Sequence, residues 1–109
     1  MTSTVQTERH GAVLLVRLNR PDQLNAYNLD MLDDLVRTYD EADADNDVRA
    51  IVVTGNGRAF CAGADLSSGG DTFNRGDDAE HRDSGGVLNL RTFELSKPII
   101  AAINGPAVG

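Results

Sequence analysis

The sequence predicts an α/β fold, and three observations carry that expectation. Two short runs rich in branched aliphatic residues, Ala12 to Leu18 and Arg49 to Thr54, read as strands. Between them, Leu29 to Ala42 has apolar residues at helical spacing. Strand, helix, strand in that order suggests a crossover unit, right-handed if the two strands are parallel.

Val5 to Arg9 is a plausible first strand. His10-Gly11 is a turn signal, so Val5 to Arg9 and Ala12 to Leu18 should form a hairpin with the second strand the more buried. Arg20-Pro21-Asp22 ends that strand, because proline has no N–H for a ladder and biases its predecessor away from helix. In the helix, Leu29, Leu32, Leu35, Val36, Tyr39 and Ala42 share one side, and Asp30, Asp33, Asp34, Arg37, Asp40 and Glu41 the other. Asn28 is a suitable N-cap, Asp30 complements the helix dipole, and Asp33 is expected to pair with Arg37 at i, i+4. The acidic side reads as a solvated surface.

After Arg49 to Thr54 comes the turn Gly55-Asn56-Gly57. Residues 67–86, rich in Gly, Asp and Ser with Phe73 as the one large apolar residue, read as a mobile surface loop. A second helix is expected over Val87 to Ser96, ended by Pro98. Ile99 to Ile103 is then expected as a fully buried short strand, with Asn104-Gly105-Pro106 as the following turn.

Composition narrows the function classes. The 109 residues fit one domain, with 40% hydrophobic and 25% charged residues, as in a soluble globular protein. A formal charge of −7 argues against nucleic acid as a partner, since phosphate binding needs clustered Lys and Arg. Cys61 is the single cysteine, so no intrachain disulfide can form, as suits a reducing compartment. Met1 to His10 is polar and no apolar run is long enough to span a bilayer, so a cytoplasmic location without membrane contact is expected.

Three stretches depart from ordinary packing. Phe60 to Leu66 is built of small residues around Gly63, so a ligand could approach its backbone, and its amides could bind a carbonyl oxygen or a phosphate. Read plainly, the same stretch is a tight connection. Asn104 to Gly109 repeats that composition after a strand and could present a second amide, or be a simple turn. Asn19 to Ala26 is either a ligand-facing loop or a polar connection with a helix cap.

Other signatures fail. Gly55-Asn56-Gly57 would begin a G-x-G-x-x-G fingerprint, but Phe60 stands at the third glycine. No Walker-type phosphate loop occurs. His10 and His81 are far apart, which disfavours a metal site, and Cys61 has no CxxC partner and reads as a small buried residue. Asp65 is the one carboxylate set in an apolar run, and could equally cap the following turn.

Taken in order, these stretches resemble the crotonase superfamily, the enoyl-CoA hydratase/isomerase family. Leu18-Asn19-Arg20-Pro21 followed by Leu24-Asn25-Ala26 resembles its first acyl-CoA-binding loop. Ala50 to Gly55, then Gly57 to Leu66, resembles its oxyanion segment, and Lys97 to Gly105 the strand that leads to its second oxyanion donor. The resemblance covers essentially the whole chain.

The resemblance implies a crotonase-like spiral of β-β-α turns, the ClpP/crotonase fold, with residues 1–109 as its N-terminal part and the remaining turns and trimerisation helices missing. It implies a coenzyme A thioester as substrate, with no separate cofactor and no metal, and a homo-trimer or hexamer as the full-length assembly. Two backbone amides would stabilise a thioester enolate, as in fatty-acid β-oxidation. The first donor would be the amide of Ala64. Ala62, Gly63, Ala64, Asp65 and Leu66 would lie against the CoA, with Leu24 and Ala26 on the opposite side.

The second donor would be the residue after Gly109, and the acid–base carboxylates would lie further on. The 109-residue chain by itself is therefore expected to be inactive and prone to aggregate. Hydration of a 2-trans-enoyl-CoA is the leading expectation. Δ3,Δ2-Isomerisation stands beside it, because Pro106 and Val108 depart from the commonest hydratase form of that loop. A non-catalytic acyl-CoA-binding protein and a ligand-free α/β domain are the alternatives from other classes.

Overall fold

The computed structural model describes residues 3–65, 92 and 94–108. Four strands form one mixed sheet in the order β1-β2-β3-β4: β1 Val5–His10, β2 Val13–Leu18, β3 Ala50–Gly55 and β4 Ile99–Ala101. β1 and β2 make the expected hairpin, antiparallel with Val5 opposite Leu18 and His10 opposite Val13. β3 runs parallel to β2, pairing Val13 with Ala50 and Leu18 with Gly55, and β4 runs parallel to β3. A parallel neighbour requires a crossover, and the helix α1, Leu29–Ala44, supplies it.

The core lies between the sheet and α1. Val16, Met31 and Ile51 are fully buried there, with Leu18, Leu35, Tyr39, Ala42 and Val53 around them. Each of the Val, Leu, Ile and Met side chains among them contributes about 1.5–3 kcal/mol by leaving water. The helical stripe is the expected one at Leu32, Leu35, Tyr39 and Ala42, all buried, and differs at the first turn. Met31 joins Leu35 and Tyr39 in the core, while Leu29 at the first turn is 37% exposed.

Asn28 caps α1 as expected, its Oδ1 accepting from the Met31 N–H at 2.9 Å. The expected Asp33–Arg37 pair gives way to Asp34–Arg37 at i, i+3, 2.6 Å apart. Asp34 is held in place because it also accepts from the Thr4 hydroxyl at 2.6 Å, from the chain just before β1. The C-terminus of α1 has no basic residue of its own, and Lys97 arrives from the other end of the chain. Its Nζ donates to the carbonyls of Ala42 and Asp45, both at 2.6 Å, where the helix dipole is negative.

β4 corrects the sequence reading. It spans three residues rather than five, and it is not fully buried: Ile99 packs partly buried against the core, but Ile100 is 55% exposed and Ile103, past the end of the strand, 62%. Among the described residues β4 pairs only with β3. Cys61, expected to be buried, is only partly so. The loop expected over 67–86 and most of the helix expected over 87–96 lie outside the described residues, as do Leu66 and Gly109.

Candidate functional site

The three unusual stretches lie side by side at one end of the parallel strands. β2 leads into the first, which begins with a single 3-10 turn, Pro21–Gln23, with Pro at its start. Leu24 and Asn25 then take positive φ, 53° and 57°, which turns the chain back on itself. Asparagine is among the residues that tolerate this conformation best. Asn25 is fully buried, and all its polar atoms are used. Its Oδ1 accepts from the Arg20 N–H at 2.8 Å, and its Nδ2 donates to the carbonyls of Asn56 and Ala59, both at 2.9 Å.

β3 leads into the second stretch, which runs extended between the other two. On one side, the Ala62 N–H donates to Leu24 O at 3.0 Å, Tyr27 N–H to Gly63 O at 2.9 Å, and Asp65 N–H to Tyr27 O at 2.8 Å. On the other, Phe60 and Cys61 donate to Pro106 O at 3.0 and 3.2 Å, and Val108 N–H donates to Cys61 O at 2.9 Å. The third stretch is anchored by Asn104. Its Oδ1 accepts from the Gly55 N–H at 3.0 Å, and its Nδ2 donates to Gly57 O and Ala59 O at 3.1 and 3.2 Å.

This ladder fixes the direction of one amide. The Gly63 carbonyl and the Ala64 N–H belong to the same peptide, which is planar and trans, so the two bonds point in opposite directions. Because Gly63 O faces Tyr27, the Ala64 N–H faces away from it. Among the described residues no acceptor meets that N–H. The turn that sets it depends on Gly63, whose φ of 98° is one that other residues rarely adopt.

An ion pair braces the same ladder. Arg20 Nη2 lies 2.9 Å from Asp65 Oδ2, and the two side chains are only 16% and 12% exposed. The Nη1 of the same guanidinium donates to the Ala26 carbonyl. Shielded from solvent, such a pair interacts more strongly than one on the surface, and the bond from Nη1 to the Ala26 carbonyl offsets part of its desolvation.

Of the residues expected at the site, Leu24, Ala26, Ala62, Gly63, Ala64 and Asp65 are brought together, and Leu66 lies outside the described residues. Arg20, Asn25, Tyr27 and Asn104 hold the framework without having been singled out individually. The one signal for Arg20, Asn25 and Asn104 was their place within the loops already marked, and Tyr27, one residue past the first loop, had none. His10 pairs with Glu8 on the hairpin, at 57% side-chain exposure, and takes no part in the site. Among the described residues no group of three or more His, Cys, Asp or Glu could hold a metal ion, and no helix is long and apolar enough to cross a membrane.

The family model for enoyl-CoA hydratase/isomerase matches residues 8–109. An enoyl-CoA hydratase of Alternaria alternata is 44% identical over 97 residues, 89% of this chain and 32% of that protein. The crystal structure of an enoyl-CoA hydratase/isomerase from Mycobacterium paratuberculosis superposes with a TM-score of 0.79 at 37% identity, covering 100% of this chain and 44% of that one. A monofunctional enoyl-CoA isomerase from M. smegmatis superposes with a TM-score of 0.71 at 30% identity, over 95% of this chain and 42% of that one. The chain thus spans about a third to under half the length of the relatives it matches.

Proposed function

Because the chain belongs to the enoyl-CoA hydratase/isomerase family, we propose that it supplies the first oxyanion donor and part of the coenzyme A site of an enzyme acting on enoyl-CoA thioesters. The observation that carries this reading is the outward-facing Ala64 amide, fixed by the bond from Tyr27 to Gly63. A thioester oxygen placed on that N–H gains negative charge as an enolate develops, and a donor already oriented stabilises it without reorganising. The small residues Ala62, Gly63 and Ala64 leave room for the thioester against the backbone. Leu24 and Ala26 form the facing wall, partly buried beside Ala62.

The second donor is expected at the residue that follows Gly109, and the acid–base carboxylates beyond it. Hydration of a 2-trans-enoyl-CoA is the leading reaction. Double-bond isomerisation is the second reading, favoured by Pro106 and Val108 and by the likeness to a solved isomerase. Assembly as a homo-trimer or hexamer, with the thioester as the small-molecule partner, and a cytoplasmic location complete the proposal.

The test uses the protein expressed from its complete open reading frame, assayed with a 2-trans-enoyl-CoA and with a 3-enoyl-CoA. Loss of the 2-enoyl absorbance with formation of a 3-hydroxyacyl-CoA supports hydration, and appearance of that absorbance from the 3-enoyl substrate supports isomerisation. Thioester binding without either reaction would leave the protein a non-catalytic acyl-CoA binder, and no binding would overturn the reading altogether.

A further inference from the structure

The Ala64 amide stands at the end of a chain of hydrogen bonds that begins at a positive charge. The Arg20 guanidinium donates to the Ala26 carbonyl. That carbonyl shares its peptide with the Tyr27 N–H, which donates to Gly63 O at 2.9 Å. The Gly63 carbonyl shares its peptide with the Ala64 N–H. Two trans peptides are thus joined head to tail between the guanidinium and the outward-facing amide.

Hydrogen bonds in such a chain polarise one another, by about 10–30% per bond, and one that starts from a full charge is stronger than a neutral one. We infer that Arg20 is a positioning residue that raises the donor strength of the Ala64 amide through the Ala26–Tyr27 and Gly63–Ala64 peptides. The inference rests on the reading of Ala64 as the oxyanion donor. Asp65 has a double part: it holds the guanidinium in place and offsets some of its field.

A structural clamp and a polarising relay make different predictions for the two ends of the ion pair. As a clamp, the pair loses its function whichever partner is neutralised. As a relay, loss of the Arg20 charge weakens the amide, whereas loss of the Asp65 charge does not. The probe is an aryl-conjugated enoyl-CoA such as cinnamoyl-CoA, whose absorption moves to longer wavelength when its carbonyl is polarised on binding. The protein from the complete reading frame is titrated with it as wild type, Arg20→Gln, Arg20→Lys and Asp65→Asn.

In Arg20→Gln the red shift should fall by half or more, and kcat should drop about tenfold with KM little changed. Arg20→Lys should restore most of both, and Asp65→Asn should enlarge the red shift. An unchanged shift in Arg20→Gln, or parallel losses in Arg20→Gln and Asp65→Asn, overturns the relay while the oxyanion reading stands. A wild-type protein that binds the probe with no red shift overturns both. If thermal melting shows that Arg20→Gln does not fold, Asp65→Asn against wild type decides alone: a larger shift supports the relay, and an unchanged or smaller one refutes it.

Discussion

Asn25 and Asn104, 79 positions apart in the chain, donate to the same acceptor, the carbonyl oxygen of Ala59, at 2.9 and 3.2 Å. Ala59 begins the segment that carries Ala64. One asparagine ties it to the loop before α1 and the other to the turn after β4, so both neighbours of the segment are registered on one atom.

The two asparagines should not be equally sensitive. Asn25→Asp removes both amide donors from a fully buried side chain and turns a carboxylate toward two carbonyl oxygens. It should cost about 3 kcal/mol or more in urea unfolding. Asn104 sits in an exposed position, and Asn104→Asp should cost about 1 kcal/mol. Equal losses would count against the central place given to Asn25.

Alanine at two glycines should fail for different reasons. At Gly63 a Cβ would make ordinary contact with Val108, at 3.6 Å, so the obstacle is the backbone, with φ at 98°. Gly63→Ala should shift the melting temperature modestly but lower thioester turnover about a hundredfold by rotating the Gly63–Ala64 peptide. At Gly55 a Cβ would stand 2.8 Å from both Asn25 Nδ2 and Phe60 O. Gly55→Ala should therefore unfold the protein or destabilise it by about 3 kcal/mol, as measured by circular dichroism on heating.

Burial pushes the Tyr39 phenol up to about 12. The raised value means that the fold favours the protonated form. Its contribution is fully present below the ordinary tyrosine range near 10 and is lost as the pH rises toward 12. The whole effect is about 3 kcal/mol. In an alkaline titration followed at the phenolate absorption band, Tyr39 should ionise together with unfolding, and Tyr39→Phe should move unfolding to higher pH.

At the acid end the sign reverses. The Thr4 hydroxyl, with Arg37 beside it, holds the Asp34 carboxyl below its usual range. That stabilisation is present above the ordinary carboxylate range and is lost as the pH falls through the depressed value. Thr4→Val should raise the Asp34 value toward normal, as read by NMR titration, and make the acid limb of the stability curve shallower. An unchanged Asp34 titration would assign the depression to Arg37 instead.

Local pattern made much of this molecule legible. Alternation and β-branching marked β1, β2 and β3, and the helical stripe with Asn28 before it marked α1 to within two residues. Small residues at 60–65 and 104–108 marked where a ligand could reach the backbone. Pattern failed where the outcome depended on a distant partner. Met31 looked no different from Leu29 until the sheet determined which side of the first turn was covered. Asp34 displaced Asp33 as the partner of Arg37 because Thr4 held it, and β4 was misjudged because its apolar residues reveal nothing about what lies beyond the sheet edge. Arg20 and Asp65 are 45 positions apart, and no spacing rule links charges so far apart.

The sequence by itself determined the α/β order, the strands and helix, the family resemblance and the small-residue stretches where chemistry could sit, because each is written in neighbouring residues. Only the tertiary structure decided which way the Gly63–Ala64 peptide faces. Gly63 has the freedom to point its carbonyl either way, and the choice is made by the Tyr27 N–H, 36 positions away, held by a loop that Asn25 and Arg20 lock in place. A planar peptide then leaves its amide one direction.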